Sequence, residues 1–215
     1  MKKLALVLML TIIVTIGFQY SSYRAEKADI ANRLIRLHVI ANSDSAVDQA
    51  VKLKVRDAII KAMDPKFEGN YSLDKAKKTI ESNLGYIERI ANKVLKDNGM
   101  NYRAKVQFGR FDFPIKSYGP IVLPPGNYQA LRVVLGNGKG KNWWCVMFPP
   151  LCFTDITHGL TSAQAEENLN KVLTKEQLNM IDEEKNHQVV FRFKIYEVIE
   201  QTINAFANSI RFALK

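Results

Sequence analysis

Residues 136–153 read GNGKGKNWWCVMFPPLCF, and this stretch decides how the rest of the chain is folded. Gly136, Gly138 and Gly140 permit positive φ, so the chain can reverse there. The apolar run Trp143–Phe148 that follows reads as a strand within a core. Pro149 and Pro150 end that strand, because proline gives no N–H to a ladder and restricts the residue before it. Leu151, Cys152 and Phe153 then form an irregular segment packed nearby, so the block is a hairpin turn, a strand and a corner.

Working back from the turn, Tyr128–Leu135 and Ile121–Leu123 are further apolar strands, separated by Pro124-Pro125-Gly126. Tyr102, Ala104, Val106 and Phe108 alternate with Arg103, Lys105 and Gln107, the period of a half-buried strand. Two helices precede them. One carries Val47, Val51, Val55, Ile59 and Met63 at four-residue spacing, with Lys52, Lys54, Arg56 and Lys61 facing away. The other runs from near Ser72 to about Asn98, with Ile80, Leu84, Ile87, Ala91 and Leu95 on one side and Gly99 just past its end. Ile35, Leu37 and Val39 alternate with Arg36 and His38 in a first strand, which Asn42-Ser43-Asp44-Ser45 ends. The expected fold is α+β: an antiparallel sheet with two covering helices in β-α-α-β-β-β-β order, without parallel crossovers, plus a C-terminal helical appendage.

A chain of 215 residues that is 47% hydrophobic can bury one good core and an appendage, so one folded domain is expected. Lys2 and Lys3 precede the uncharged apolar run Leu4–Phe18, the pattern of an export signal. Fifteen residues fall short of the roughly 20 that a membrane span needs, yet Gln19–Tyr23 offers no Ala-x-Ala cleavage site, so residues 1–23 are an export signal or an N-terminal anchor. Residues 24–156 form the exported α+β domain, beginning with a polar spacer or short helix over 24–32; residues 157–188 read as a polar, loosely helical linker. The last segment, 189–215, is amphipathic: Val189–Ile195 alternates like a strand, and Ile199, Ile203, Phe206, Ile210 and Ala213 then trace a helical stripe. Its polar face is chiefly glutamate and amide, which favours packing on the chain's own domain over lying on a membrane.

The formal charge is +10, and removing residues 1–23 takes away only Lys2 and Lys3. Export and the lack of any nucleic-acid-binding signature turn this charge away from nucleic acid, towards an anionic membrane surface or an acidic protein face. Excess lysine that merely solvates the surface is the plainer alternative. Cys145 and Cys152 are expected as a disulfide in an exported chain, with two buried thiols as the alternative. Their spacing and the scattered His38, His158 and His187 do not make a zinc site, and no cofactor motif is present.

No nucleophile with its base, carboxylate pair or metal cluster is readable, so no catalytic residue is assigned. Gly-Asn-Gly-Lys-Gly-Lys lacks the spacing of a phosphate loop and leads into a strand, which suits a hairpin. The Asn42–Ser45 oxygens could hold a cation, but helix capping explains them more simply, and Asp44 can still face a partner. Trp143 and Trp144 point to opposite faces of a strand, so one belongs to the core; the other is a contact anchor unless helices cover both faces.

Arg33-Leu34-Ile35-Arg36-Leu37-His38-Val39-Ile40-Ala41-Asn42-Ser43-Asp44-Ser45, then Phe113-Pro114, Tyr118-Gly119, Pro125-Gly126-Asn127-Tyr128 and the Asn142–Phe153 block, resemble the stage II sporulation protein R family over roughly residues 30–155. The resemblance implies a non-enzymatic signalling protein of endospore-forming bacteria, exported across the forespore membrane into the intermembrane space. There it activates a membrane-embedded aspartic peptidase of the mother cell, which cleaves pro-sigma-E. The competing class is an envelope-bound hydrolase or cell-wall-binding module. For the signalling role, the expected contact residues are Trp143, Trp144 and Phe153, with Asp44 and Arg36 as polar neighbours.

Overall fold

The computed structural model describes residues 2–67, 72–152 and 167–183, together with 193, 195, 196, 198, 199, 201 and 202. Its first helix, α1 (Lys2–Arg33), is unbroken, so the apolar run and the supposed spacer form one element. β1 (Ile35–Ile40), α2 (Ala46–Met63), a 3-10 turn (Asp64–Lys66) and α3 (Leu73–Asp97) follow. The strands β2 (Ala104–Phe113), β3 (Lys116–Tyr118), β4 (Ile121–Leu123), β5 (Gly126–Leu135) and β6 (Asn142–Phe148) precede a short α4 (Lys175–Ile181).

The fold is α+β, with one departure from the expected antiparallel sheet. The four-stranded sheet has the order β2-β5-β1-β6, in which β1 lies parallel to β5 and antiparallel to β6. The helical pair α2–α3 is the crossover that makes a parallel neighbour reachable. β3 and β4 form a separate small hairpin.

Caps place the two covering helices as their sequence predicts. The Ser45 side chain accepts from Asp48 N and the Ser72 side chain from Lys75 N, each satisfying a first-turn donor. Gly99, at φ +73°, follows α3 in the left-handed conformation that favours glycine. These helices bury Val55, Ile59, Ile80, Ile87 and Ala91 against Leu37, Val39, Leu131, Val133 and Cys145 on one sheet face.

The opposite face is covered as well. Ile30, Ala31 and Leu34 pack there with Tyr128, Ala130, Val146, the β4 residues and Phe113. This explains why Arg36 and His38, polar residues on a strand of alternating pattern, are buried at 0% and 6% exposure. The linker expected over 157–188 is corrected in its described part: Leu169, Leu173, Leu178 and Ile181 are buried in this second core. α4 begins with a capping box between Thr174 and Gln177, Gln177 Nε2 donates to Asp29 Oδ2 at 2.5 Å, and Glu183 N donates to Pro120 O at 2.8 Å. The strand read over Val189–Ile195 is corrected too, since Phe193 and Ile195 are helical. Residues 203–215, with Ile203, Phe206, Ile210 and Ala213, lie outside the described residues, as do His158 and His187.

Candidate functional site

Two stretches far apart in sequence meet at one end of the sheet. β1 leads into the loop 41–45, and the turn between β5 and β6 lies across it. Gly140 N donates to Ala41 O at 2.9 Å and Lys139 N to Asn42 O at 3.1 Å. Asn137 N donates to Asn42 Oδ1 at 2.9 Å, and Lys141 N to Asp44 Oδ1 at 2.6 Å. The turn needs its glycines for this approach: a Cβ on Gly140 would lie 2.5 Å from the Ser43 carbonyl carbon. The glycine-rich segment is therefore a hairpin turn moulded on the Asn-Ser-Asp-Ser loop.

Asp48 holds the loop from below. Its Oδ2 accepts from Asn42 Nδ2 at 2.9 Å and Ser43 Oγ at 2.5 Å, and its Oδ1 accepts from the Tyr102 hydroxyl. The Ser43 hydroxyl, then the Tyr102 hydroxyl, stabilises the ionised form and holds this carboxyl below its usual range. Burial, reinforced by the same carboxylate, pushes the Tyr102 phenol up. The oxygens of the Asn42–Ser45 cluster thus serve the loop and the helix cap, which leaves Asp44 exposed at the tip.

Sequence reasoning did not single out Asp48, and it misread two further residues here. Lys52 and Arg56, read as facing away, are 5% and 4% exposed. Lys52 Nζ donates to Gln49 Oε1 at 2.7 Å and to Lys141 O at 3.2 Å, and burial, then Arg56, lowers its pKa. The Arg56 guanidinium lies 4.1 Å above the Trp143 ring and pairs with Asp57 at 2.6 Å. A Trp on β6 and an arginine on a covering helix were the available signal, but only the fold shows that they meet.

On the other sheet face Trp144 stacks on His38 with centroids 3.7 Å apart, and Phe113 meets both rings edge-on. His38 Nε2 lies 2.8 Å from Asn142 Oδ1. Burial lowers its pKa to about 4, against the Asn142 hydrogen bond, with Arg132 and Arg36 acting in the same direction as burial. Trp143 and Trp144 are both half-buried, so helix and hairpin cover reaches both faces.

The expected contact residues separate. Asp44, Trp143 and Trp144 belong to this sheet end, with exposed Asn137, Lys139, Lys141 and Asn142 beside them. Arg36 does not reach the surface: its Nε donates to Cys145 O at 3.0 Å, its Nη2 to Tyr118 Oη at 2.7 Å, and its guanidinium lies 4.5 Å from the Phe113 and 4.8 Å from the Tyr128 ring centroid. It braces the strand that carries the tryptophans. Cys145 and Cys152 form a disulfide with Cα atoms 5.5 Å apart. Because β6 runs antiparallel to β1, Asn142 lies opposite Ile40 and Phe148 opposite Ile35, so the proline corner sits at the other sheet end, about 20 Å away at 3.3 Å per residue. Phe153 lies outside the described residues.

α1 is long and apolar enough to be a signal sequence or a membrane anchor, and most of the large side chains from Leu4 to Phe18 are exposed. Among the described residues no group of three or more His, Cys, Asp or Glu is placed to hold a metal ion.

A sequence profile described as stage II sporulation protein R matches residues 31–158. Among curated proteins, the stage II sporulation protein R of Bacillus subtilis (strain 168) is 41% identical over 138 residues, covering 64% of this chain. The matched stretch spans 62% of that relative's length. No solved structure matches the chain.

Proposed function

The chain belongs to the stage II sporulation protein R family, and from that premise we propose that it is an exported, non-catalytic signal between the two compartments of a sporulating cell. It crosses from the forespore into the intermembrane space and activates a membrane-embedded aspartic peptidase of the mother cell, which then cleaves pro-sigma-E. A ligand activates an enzyme only by binding its active arrangement better than its inactive one. A surface of fixed shape suits that task, since little ordering entropy is lost on docking.

The observation that carries this reading is the joining of the Asn-Ser-Asp-Ser loop to the glycine turn through four hydrogen bonds, two from backbone to backbone. Both motifs are most simply explained as one presented surface, with Asp44, Lys139 and Lys141 exposed on it. Trp143 and Trp144 stiffen it from beneath, through Arg56 and His38.

Co-expression in a non-sporulating bacterium tests the reading. The peptidase and pro-sigma-E together give little cleaved product, and adding this protein raises it. Lys139→Glu and Lys141→Glu, whose side chains take no part in the four bonds, abolish the increase while the thermal transition of the purified variants stays near that of the parent. Cleavage that ignores the protein, or cleavage of pro-sigma-E by the purified chain alone, refutes the assignment and restores the hydrolase reading.

A further inference from the structure

The described residues between 193 and 202 are helical, and Phe193, Ile195, Tyr196 and Ile199 lie against α1. Tyr196 stacks on Tyr23 with centroids 3.9 Å apart and on Tyr20 at 6.1 Å, and Phe193 meets Tyr23 at 6.1 Å. Further along, Ile195, Tyr196 and Ile199 share an apolar groove of about 410 Å³ with Ile16, Gly17 and Tyr20. As the numbers rise from 193 to 199 on the tail they fall from 23 to 16 on α1, so the tail runs antiparallel to α1 and climbs towards its apolar half.

The packing bears on the fate of α1. Tyr23 is 5% exposed and Phe193 2%, and the helix continues without a break to Arg33, where Ile30 and Ala31 are in the core. Cutting the chain anywhere between 18 and 24 would sever this helix, and a cut beyond Tyr23 would strip Tyr20 and Tyr23 from the tail's aromatic residues. The apolar run Leu4–Phe18 alone is short for a bilayer, but α1 from Leu4 to Tyr23 rises about 30 Å, the thickness of the hydrocarbon layer. Tyr20 and Tyr23 then fall at the membrane–water boundary, where tyrosine is enriched, with Arg24 over the Tyr20 ring at 5.8 Å on the watery side.

The groove at Ile16–Tyr20 reaches from that boundary about 10 Å into the layer, and Ile195 and Val198 on the tail are 56% and 58% exposed although apolar. We infer that α1 is kept as a membrane anchor and that the tail helix packs antiparallel upon it at the lipid surface, with acyl chains covering Val198, Ile195 and the groove. The tail thus packs on its own chain and on lipid together. The continuity of this apolar surface with the span-length apolar face of α1 identifies lipid as its occupant.

The test uses the full chain in vesicles of phosphatidylethanolamine and phosphatidylglycerol. Both native cysteines are paired, so Val198→Cys can be labelled alone with an environment-sensitive fluorophore, and Glu81→Cys on α3 serves as the control. Brominated lipids are expected to quench the label at 198 several-fold more than at 81. Adding Tyr196→Ala is expected to remove most of that difference, leaving the signal at 81 unchanged. In producing cells the membrane-bound chain is expected to retain the peptide containing Tyr20 and Tyr23. Equal quenching at the two positions, quenching at 198 that survives Tyr196→Ala, or an exported chain beginning beyond Tyr23 would each overturn the inference. None of these readouts depends on peptidase activation.

Discussion

Replacing Asp48 by alanine removes the α2 side chain that ties the Asn42–Ser45 loop to Tyr102, just ahead of β2. Three side-chain donors converge on its carboxylate, from Asn42, Ser43 and Tyr102. A hydrogen bond to a charged group contributes about 1.5–3 kcal/mol. These bonds are part-buried and water can replace some of them, so the low end applies and the donors do not add fully; the expected loss is about 3 kcal/mol. For a chain of this size that lowers Tm by roughly 6–12 °C. Near-ultraviolet circular dichroism of the full chain in detergent follows it, since Trp143 and Trp144 lie beside the loop. The pH dependence supplies a second check. The folded carboxyl is held below its ordinary value of 3.8, so its contribution is complete above that pH and is lost as pH falls towards the folded pKa. The gap between parent and Asp48→Ala must therefore narrow below about pH 4. A Tm change under 2 °C at neutral pH, or a gap that widens on acidification, would refute the network argument.

Gly140→Ala brings a Cβ against the Ser43 carbonyl, so the turn separates from the loop; we expect a loss of about 1–3 kcal/mol and of peptidase activation, read by thermal unfolding and co-expression. Cys145→Ser opens the disulfide and should cost about 2 kcal/mol, with Cys152→Ser giving a similar loss in denaturant unfolding. His38 stays neutral in the folded chain down to about pH 4, whereas the unfolded chain takes up a proton near 6.5. Stability should therefore fall as pH drops from 6.5 to 4, His38→Gln should flatten that slope, and the His38 ring signals in nuclear magnetic resonance should titrate near 4.

Elements whose signals are local were legible in the sequence. Ser45, Ser72 and Gly99 mark helix ends by their own chemistry, and Pro149 marks the end of β6. The parallel pairing of β1 with β5 was not legible, because nothing within either strand encodes which neighbour it takes across about 90 intervening residues. Arg36 was misplaced for a related reason. An arginine between Ile35 and Leu37 reads as solvent-facing only while the second sheet face is thought to be open, and the cover comes from α1 and the β3–β4 hairpin. Residues 24–32 looked like a spacer or short helix because their charges outnumber the few apolar residues that dock. The same polarity hid the docking of α4, in which Gln177, Leu178, Met180 and Ile181 are buried. At the sheet end that carries Asp44 and the tryptophans, those residues stand out by composition, whereas the burial of Lys52 and Arg56 was missed because a charged residue on a helix is usually solvated.

The placement of α1 bears on which surface a partner can meet. A Cβ on Gly126, the first residue of β5, would lie 4.0 Å from Lys27 Cε, and Arg110, paired across the sheet with Gln129, donates to Asn32 Oδ1 at 3.0 Å. From residue 27 to 32, then, α1 advances along β5 in the strand's own direction, and its earlier residues lead back beyond the start of β5. β1 is parallel to β5, so the loop carrying Asp44 follows the opposite end of both strands. On the proposed reading, with α1 as the anchor, the bilayer would leave Asp44, Lys139 and Lys141 uncovered at the far end of the sheet, as a signal spanning a narrow gap requires. The proline corner and its disulfide lie at the end of the sheet where α1 leads into β1, and there they stiffen the junction between helix and sheet, which separates the role of the Cys145–Cys152 bond from that of the tryptophans only a few residues before it.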